Sequence, residues 1–111
     1  MTDKQRSLCV SEAQTYTDRE AYISDLALSS IWGDDPGAEI PAERIDQLGN
    51  IFDAANRSVS EIAKAAGMSQ RKLAERFCIP YRTVENWCGG QRECPFYLRL
   101  MMQECLGMVE R

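Results

Sequence analysis

The strongest constraint on this chain is its punctuation: helix-start and helix-stop signals recur at short intervals along its whole length. Thr17-Asp18-Arg19-Glu20 and Ser58-Val59-Ser60-Glu61 are both capping-box sequences. In such a box the hydroxyl of the first residue and the carboxylate of the last satisfy reciprocal backbone N–H groups. Behind the first box, Ile23, Leu26, Ala27, Ser30 and Ile31 repeat at helical spacing, until Gly33 ends the run and 34–37 turn the chain. Pro41 suits a first helical position, and Ile45, Leu48, Phe52 and Ala55 then form one apolar stripe. Behind the second box, Val59, Ile62, Ala63 and Ala66 mark a short helix stopped by Gly67. Ser69 caps the next helix, with Leu73, Ala74 and Phe77 inward, and Pro80 breaks it. A further short helix carries Val84 and Trp87 and ends at Gly89-Gly90. Pro95 opens a last helix with Leu98, Met101, Met102 and Cys105 near one face, where the Met pair reads as core filling. No segment reads as a strand. The fold class expected is all-α, a compact bundle of five or six helices.

A chain of 111 residues is one domain, or one small domain with an appendage. Residues 1–15 are polar and lack a period, so they are expected to be a flexible N-terminus. Residues 16–57 read as an N-terminal helical extension packed on the core, with Trp32 as an anchor, and 58–111 as the main functional domain. Apolar residues make up 44%, enough for a core, but no stretch approaches the length of a membrane span. The first residues carry no apolar run, so no secretory signal is expected. Histidine is absent, which excludes a Ser-His-Asp triad, a Cys-His dyad and His-ligated metal sites. The five cysteines, Cys9, Cys78, Cys88, Cys94 and Cys105, are odd in number, lack a Cys-x-x-Cys and match no zinc knuckle. They read as reduced, small hydrophobic residues in a cytoplasmic protein. No nucleophile–base pair or phosphate loop is present, so neither an enzyme nor a metal or small-molecule cofactor is expected.

The net charge of −4 hides a strong asymmetry. Residues 1–56 hold four Lys/Arg against eleven Asp/Glu, a balance of −7, whereas 57–111 hold nine against six, or +3. The positive charge concentrates in 64–92, where Lys64, Arg71, Lys72, Arg76, Arg82 and Arg92 face only Glu75 and Glu85. A whole-chain charge argument would dismiss a polyanionic partner; the local charge readmits it.

Residues 67–90 carry the function signal. Leu73, Ala74, Phe77, Ile79, Val84 and Trp87 form an inward set on two short helices joined near Cys78–Pro80, and the small Ala74 lets those helices cross closely. Tyr81, Arg82, Glu85 and Asn86 remain outward on the second helix, and all four can stack on or hydrogen-bond to base edges. This segment resembles the helix-turn-helix of the Cro/phage-repressor class, the Xre family. Ser69-Gln70, Leu73-Ala74, Phe77, Ile79, Thr83-Val84, Trp87 and Gly90 fall in register with that family's pattern without a gap. The likeness covers about 60–106 and leaves 1–57 without a counterpart.

The resemblance implies a lambda-repressor-like domain whose recognition helix lies in the major groove of double-stranded DNA. It implies base contacts from Tyr81, Arg82, Glu85 and Asn86, and backbone contacts from Gln70, Lys72, Gly89 and Arg92. It further implies a small transcriptional regulator acting as a homodimer on half-sites about one DNA turn, roughly 34 Å, apart. Residues 91–111 are the first-ranked dimer surface. Two departures stand out. Cys78 occupies the turn position usually held by Gly, where a left-handed backbone costs a side-chain-bearing residue roughly 1 kcal/mol. Glu85 is an acid facing a polyanion; it can accept from a cytosine amino group or orient Arg82 through a helical (i, i+3) pair. The alternative reading is a protein-interaction module, with the acidic N-terminal helices engaging a protein partner and the helix pair serving as scaffold.

Overall fold

The computed structural model describes residues 1–110, and every regular element among them is helical. In chain order these are α1 (Asp3–Ala13), α2 (Arg19–Ala27), a 3₁₀ turn (Ser30–Trp32), α3 (Ala42–Asn56), α4 (Val59–Ala65), α5 (Gln70–Phe77), α6 (Tyr81–Cys88) and α7 (Phe96–Cys105). Seven α-helices exceed the five or six expected; the addition is α1. The chain forms two compact units. One comprises Met1–Asn56 with Val109 and Glu110, the other Arg57–Met108. Val109 and Glu110 thus group with the first unit although sequence reading places them in the C-terminal domain: Val109 is buried, and the Glu110 carboxylate accepts from Gln47 at 3.3 Å.

In the first unit, residues 1–15 are mostly helix, which corrects the expectation of a frayed segment. Thr2 and Gln5 form a capping box: the Gln5 N–H donates to the Thr2 hydroxyl at 3.1 Å and the Thr2 N–H to Gln5 Oε1 at 2.8 Å. Cys9, Val10 and Ala13 are small enough to bury a helix face without an apolar stripe in the sequence. Tyr22 is fully buried at the centre of the unit, and its hydroxyl donates to the Cys9 carbonyl at 2.7 Å. The Tyr22 ring lies 5.4 Å from Phe52 and 5.5 Å from Tyr16, so one aromatic cluster joins α2 to α3. Burial pushes the Tyr22 phenol far above its ordinary range, keeping it a donor at all relevant pH.

The start of α2 falls one residue later than the Thr17 box predicts. Asp18 is the cap, and its carboxylate accepts the Glu20 N–H at 3.3 Å. The helix stops at Ala27 instead of running to Ile31, because Ser29 caps the separate 3₁₀ turn and Gly33 ends it at φ 67°. On α3 the buried set is Leu48, Gly49, Ile51, Phe52 and Ala54. Ile45, expected in the stripe, is 41% exposed although it shares the helix face of Leu48 and Phe52, so the buried part of the stripe begins at Leu48. Gly49 leaves the space in which the Arg19 side chain crosses α3 to reach Asp53 at 3.0 Å. Trp32 donates Nε1–H to the Leu26 carbonyl at 2.7 Å and carries the Arg44 guanidinium over its ring at 4.4 Å, both within its own unit.

The second unit follows its sequence signals more closely. Ser58 and Glu61 form the predicted capping box on α4, and the Ser69 hydroxyl accepts the Lys72 N–H at the start of α5. The core consists of Val59, Ile62, Ala63, Leu73, Ala74, Val84, Cys94 and Met102, with Phe77, Ile79, Trp87 and Leu98 packed against it. On α7 only half of the expected face is inward. Met101 is 55% exposed and Cys105 is exposed, so the Met pair splits into one core residue and one surface residue. The fully buried neighbour of Met102 is Gln103. Its Oε1 accepts from Arg57 at 3.1 Å and its Nε2 donates to the Arg99 carbonyl at 3.2 Å, while Arg99 donates to the Arg57 carbonyl at 2.7 Å. No helix among the described residues is long and apolar enough to cross a membrane.

Candidate functional site

The site is built by α5, the connection Cys78–Pro80 and α6. The connection is tight because Cys78 takes a left-handed conformation, φ 55° and ψ 39°, alone among the described non-glycine residues. Its N–H and that of Ile79 then fold back onto the end of α5, with Ile79 N–H donating to the Ala74 carbonyl at 2.9 Å. This is a helix terminus that ordinarily selects glycine. Ala74 is buried at the crossing, where its small side chain allows α5 and α6 to pack together. Pro80 opens α6, its fixed φ suiting that place. A cysteine therefore bears the strain of a left-handed backbone at this turn.

On α6, Val84 is fully buried and Trp87 is half-buried against the core, which fixes the rotation of the helix. Arg82 and Glu85 are consequently exposed, and Tyr81 and Asn86 half-exposed at the margins. Arg82 and Glu85 do not form the (i, i+3) ion pair offered by their spacing, so the guanidinium and the carboxylate are each available to an external group. Asn86 spends its main-chain carbonyl on the Gln91 and Arg92 N–H groups, at 3.0 and 3.2 Å, while its side-chain amide makes no hydrogen bond within the protein. Gln70 is the first residue of α5 and Lys72 lies exposed one residue beyond Arg71. The Gly89 N–H is already donated to the Glu85 carbonyl at 2.8 Å, so Gly89 can offer an approaching backbone room but not that donor. Arg92 is exposed beside an open cleft that Trp87, Gly90, Glu93 and Arg99 help to line.

The two predicted sets thus share one unit: the α6 residues on one exposed helix face, and Gln70, Lys72, Gly89 and Arg92 on the elements flanking it. Sequence reading missed a further contact. The Arg71 guanidinium lies 4.1 Å from the centroid of the Tyr81 ring, linking the start of α5 to the start of α6. Its spacing of ten residues across a turn follows no helical or strand period and leaves no trace in the sequence pattern. Burial raises the Cys88 and Cys94 thiols above their ordinary range, which makes them poor nucleophiles. Among the described residues, no three His, Cys, Asp or Glu side chains are grouped to hold a metal ion.

No protein-family model, curated protein or solved structure matches the chain.

Proposed function

We propose that the second unit is a helix-turn-helix of the Cro/phage-repressor type that binds double-stranded DNA, with α6 as the recognition helix. The observation that carries this reading is the outward face of α6. Arg82, Glu85 and the Asn86 amide stand clear of internal partners on a short helix whose other face is locked by Val84 and Trp87. A helix held this way can present side chains to base edges without reorganising. The cationic surroundings supply the nonspecific term: Lys72 and Arg92 are exposed and not ion-paired, positioned to hold phosphates while α6 is docked.

The mechanism proposed is occupancy of a site by a homodimer, since a single helix reads few base pairs, and symmetric pairing doubles the contacts over two half-sites. The exposed Tyr97 and Met101 on α7 belong to the surface 91–111 favoured for that pairing. Binding to a random duplex, measured by fluorescence anisotropy over a range of salt, tests the reading. The expected result is micromolar affinity falling steeply as salt rises. Absence of salt-dependent binding would reject it and favour a scaffold for protein partners.

A further inference from the structure

The Arg71–Tyr81 contact is the one feature of the site that neither the helix pattern nor the charge pattern anticipates. Arg71 sits in the first turn of α5, which contains no acidic residue. The helix dipole disfavours a cation there, so its place is not explained by helix stability. Arg71 is exposed and has no carboxylate partner. Its described contact is the face of Tyr81, 4.1 Å from the ring centroid. Tyr81 in turn is packed against the core cluster as the first residue of α6. A guanidinium is planar and carries five N–H donors in a fixed fork, and cation–π attraction holds it to the ring. The result is a planar fork of donors held beside the end of α6 that meets bases in a helix-turn-helix complex.

We infer that Arg71 is a specificity-determining residue, positioned by Tyr81, that reads the O6 and N7 acceptors of a guanine. The inference rests on the DNA-binding reading of this unit. A guanine edge is favoured over a phosphate because the guanidinium lies against Tyr81, at the end of α6 that meets base edges in such a complex, and a bidentate arginine on O6 and N7 is the commonest specific contact there. Tyr81 then acts through Arg71, and the base contact expected of Tyr81 passes to the arginine it carries.

The test is selection of bound duplexes from a random library by the parent and by Arg71→Lys, Tyr81→Phe and Tyr81→Leu, with a thermal melt of each. Lysine keeps the charge but has no fork. Phenylalanine keeps the ring face, and leucine removes it. The parent should select a G·C pair at one position of each half-site. Arg71→Lys and Tyr81→Leu should lose that preference at least tenfold and retain those elsewhere, while Tyr81→Phe keeps it. Should Tyr81→Leu fail to fold, Arg71→Lys decides alone. An unchanged preference profile for Arg71→Lys, or an equal loss on every sequence, overturns the inference and leaves DNA binding standing. Failure of the parent to bind any duplex removes the DNA reading, and this inference with it.

Discussion

The two units use their cations in opposite ways. In the first, three of the four basic side chains of residues 1–56 are committed internally. Arg19 pairs with Asp53 at 3.0 Å, Arg44 pairs with Asp34 while lying over Trp32, and Arg6 donates to the Glu110 carbonyl at 3.4 Å. In the second, Lys64, Lys72, Arg82 and Arg92 are exposed without ion pairs, although Glu75 shares α5 with Lys72 and Glu85 shares α6 with Arg82. Cations are scarce where acids abound, and there they hold loops and helices to one another. Where cations are in excess they are left to solvent, or to a partner carrying the opposite charge. Exposed charges contribute little to folding, so leaving them unpaired costs the second unit little stability.

The sharpest way to break this comparison is to remove one cation from each unit and measure DNA binding. Arg82→Ala and Asn86→Ala should each lose about 1–3 kcal/mol on the preferred site and relax the preference at the base pair they meet. Arg92→Ala should weaken all sequences alike and lower the salt slope by about one. Arg19→Ala changes net charge by the same amount as Arg82→Ala, yet should leave the affinity unaltered. Equal losses for Arg19→Ala and Arg82→Ala would show that only bulk charge matters.

Not every arginine of the second unit is spare, and Arg57 marks the limit. Its guanidinium donates to the fully buried Gln103. Arg57→Ala withdraws a donor from an amide that has no access to water, which should cost about 1–3 kcal/mol of stability by urea unfolding. Arg19→Ala in the other unit breaks a half-exposed pair and should cost less than about 1 kcal/mol. A larger loss for Arg19→Ala would reverse the ranking.

These cases also mark what the sequence could convey. The starts of α4 and α5 were legible because a cap and its helix lie within a few residues, and the inward set Leu73, Ala74 and Val84 because a helix repeats every turn. The left-handed turn at Cys78 was expected only from the resemblance of 67–90 to a helix-turn-helix pattern. Gln103 was not, since a polar residue looks exposed until a donor 46 residues away in sequence is brought beside it. Helix α1 was missed for a different reason. Thr2-Asp3-Lys4-Gln5 is itself a cap signature, but Cys9, Val10 and Ala13 are too small and too few to display a period. Asp18 and Thr17 were both able to cap α2, and neighbouring candidates leave the helix start uncertain by one residue.

A smaller effect separates the units by pH. Arg44 hydrogen bonds hold the Asp34 carboxyl below its ordinary range in the first unit. In the second, the Ser58 N–H holds Glu61 below it, donating at 3.2 Å. Both groups are depressed on folding, so each contributes stability that is present above the unfolded carboxylate pKa and lost as pH falls through the lower folded value. The causes differ, and salt distinguishes them. NMR titration of the two carboxyl carbons should show the Asp34 shift shrinking in high salt, because an ion pair is screened, and the Glu61 shift persisting, because a backbone hydrogen bond is not. Equal salt sensitivity would deny the distinction.

The smallest effect concerns how each unit ends a helical turn. Gly33 closes the 3₁₀ turn of the first unit at φ 67°, and Cys78 closes α5 of the second at φ 55°. The same backbone region is occupied by the residue best suited to it in one case and by a strained one in the other. Cys78→Gly removes a left-handed penalty of roughly 1 kcal/mol. It also returns conformational freedom to the unfolded chain, which offsets roughly 0.5–1 kcal/mol of that gain. The net expectation is a stabilisation of no more than about 0.5 kcal/mol. Gly33→Ala meets no steric obstacle within the fold, so its loss of about 1 kcal/mol would come from the backbone alone. Cys78 is exposed, so glycine forfeits little burial there, which keeps the two substitutions comparable. A destabilised Cys78→Gly variant would mean that the cysteine side chain itself supports the turn, and that the α5–α6 connection is held by more than its backbone geometry.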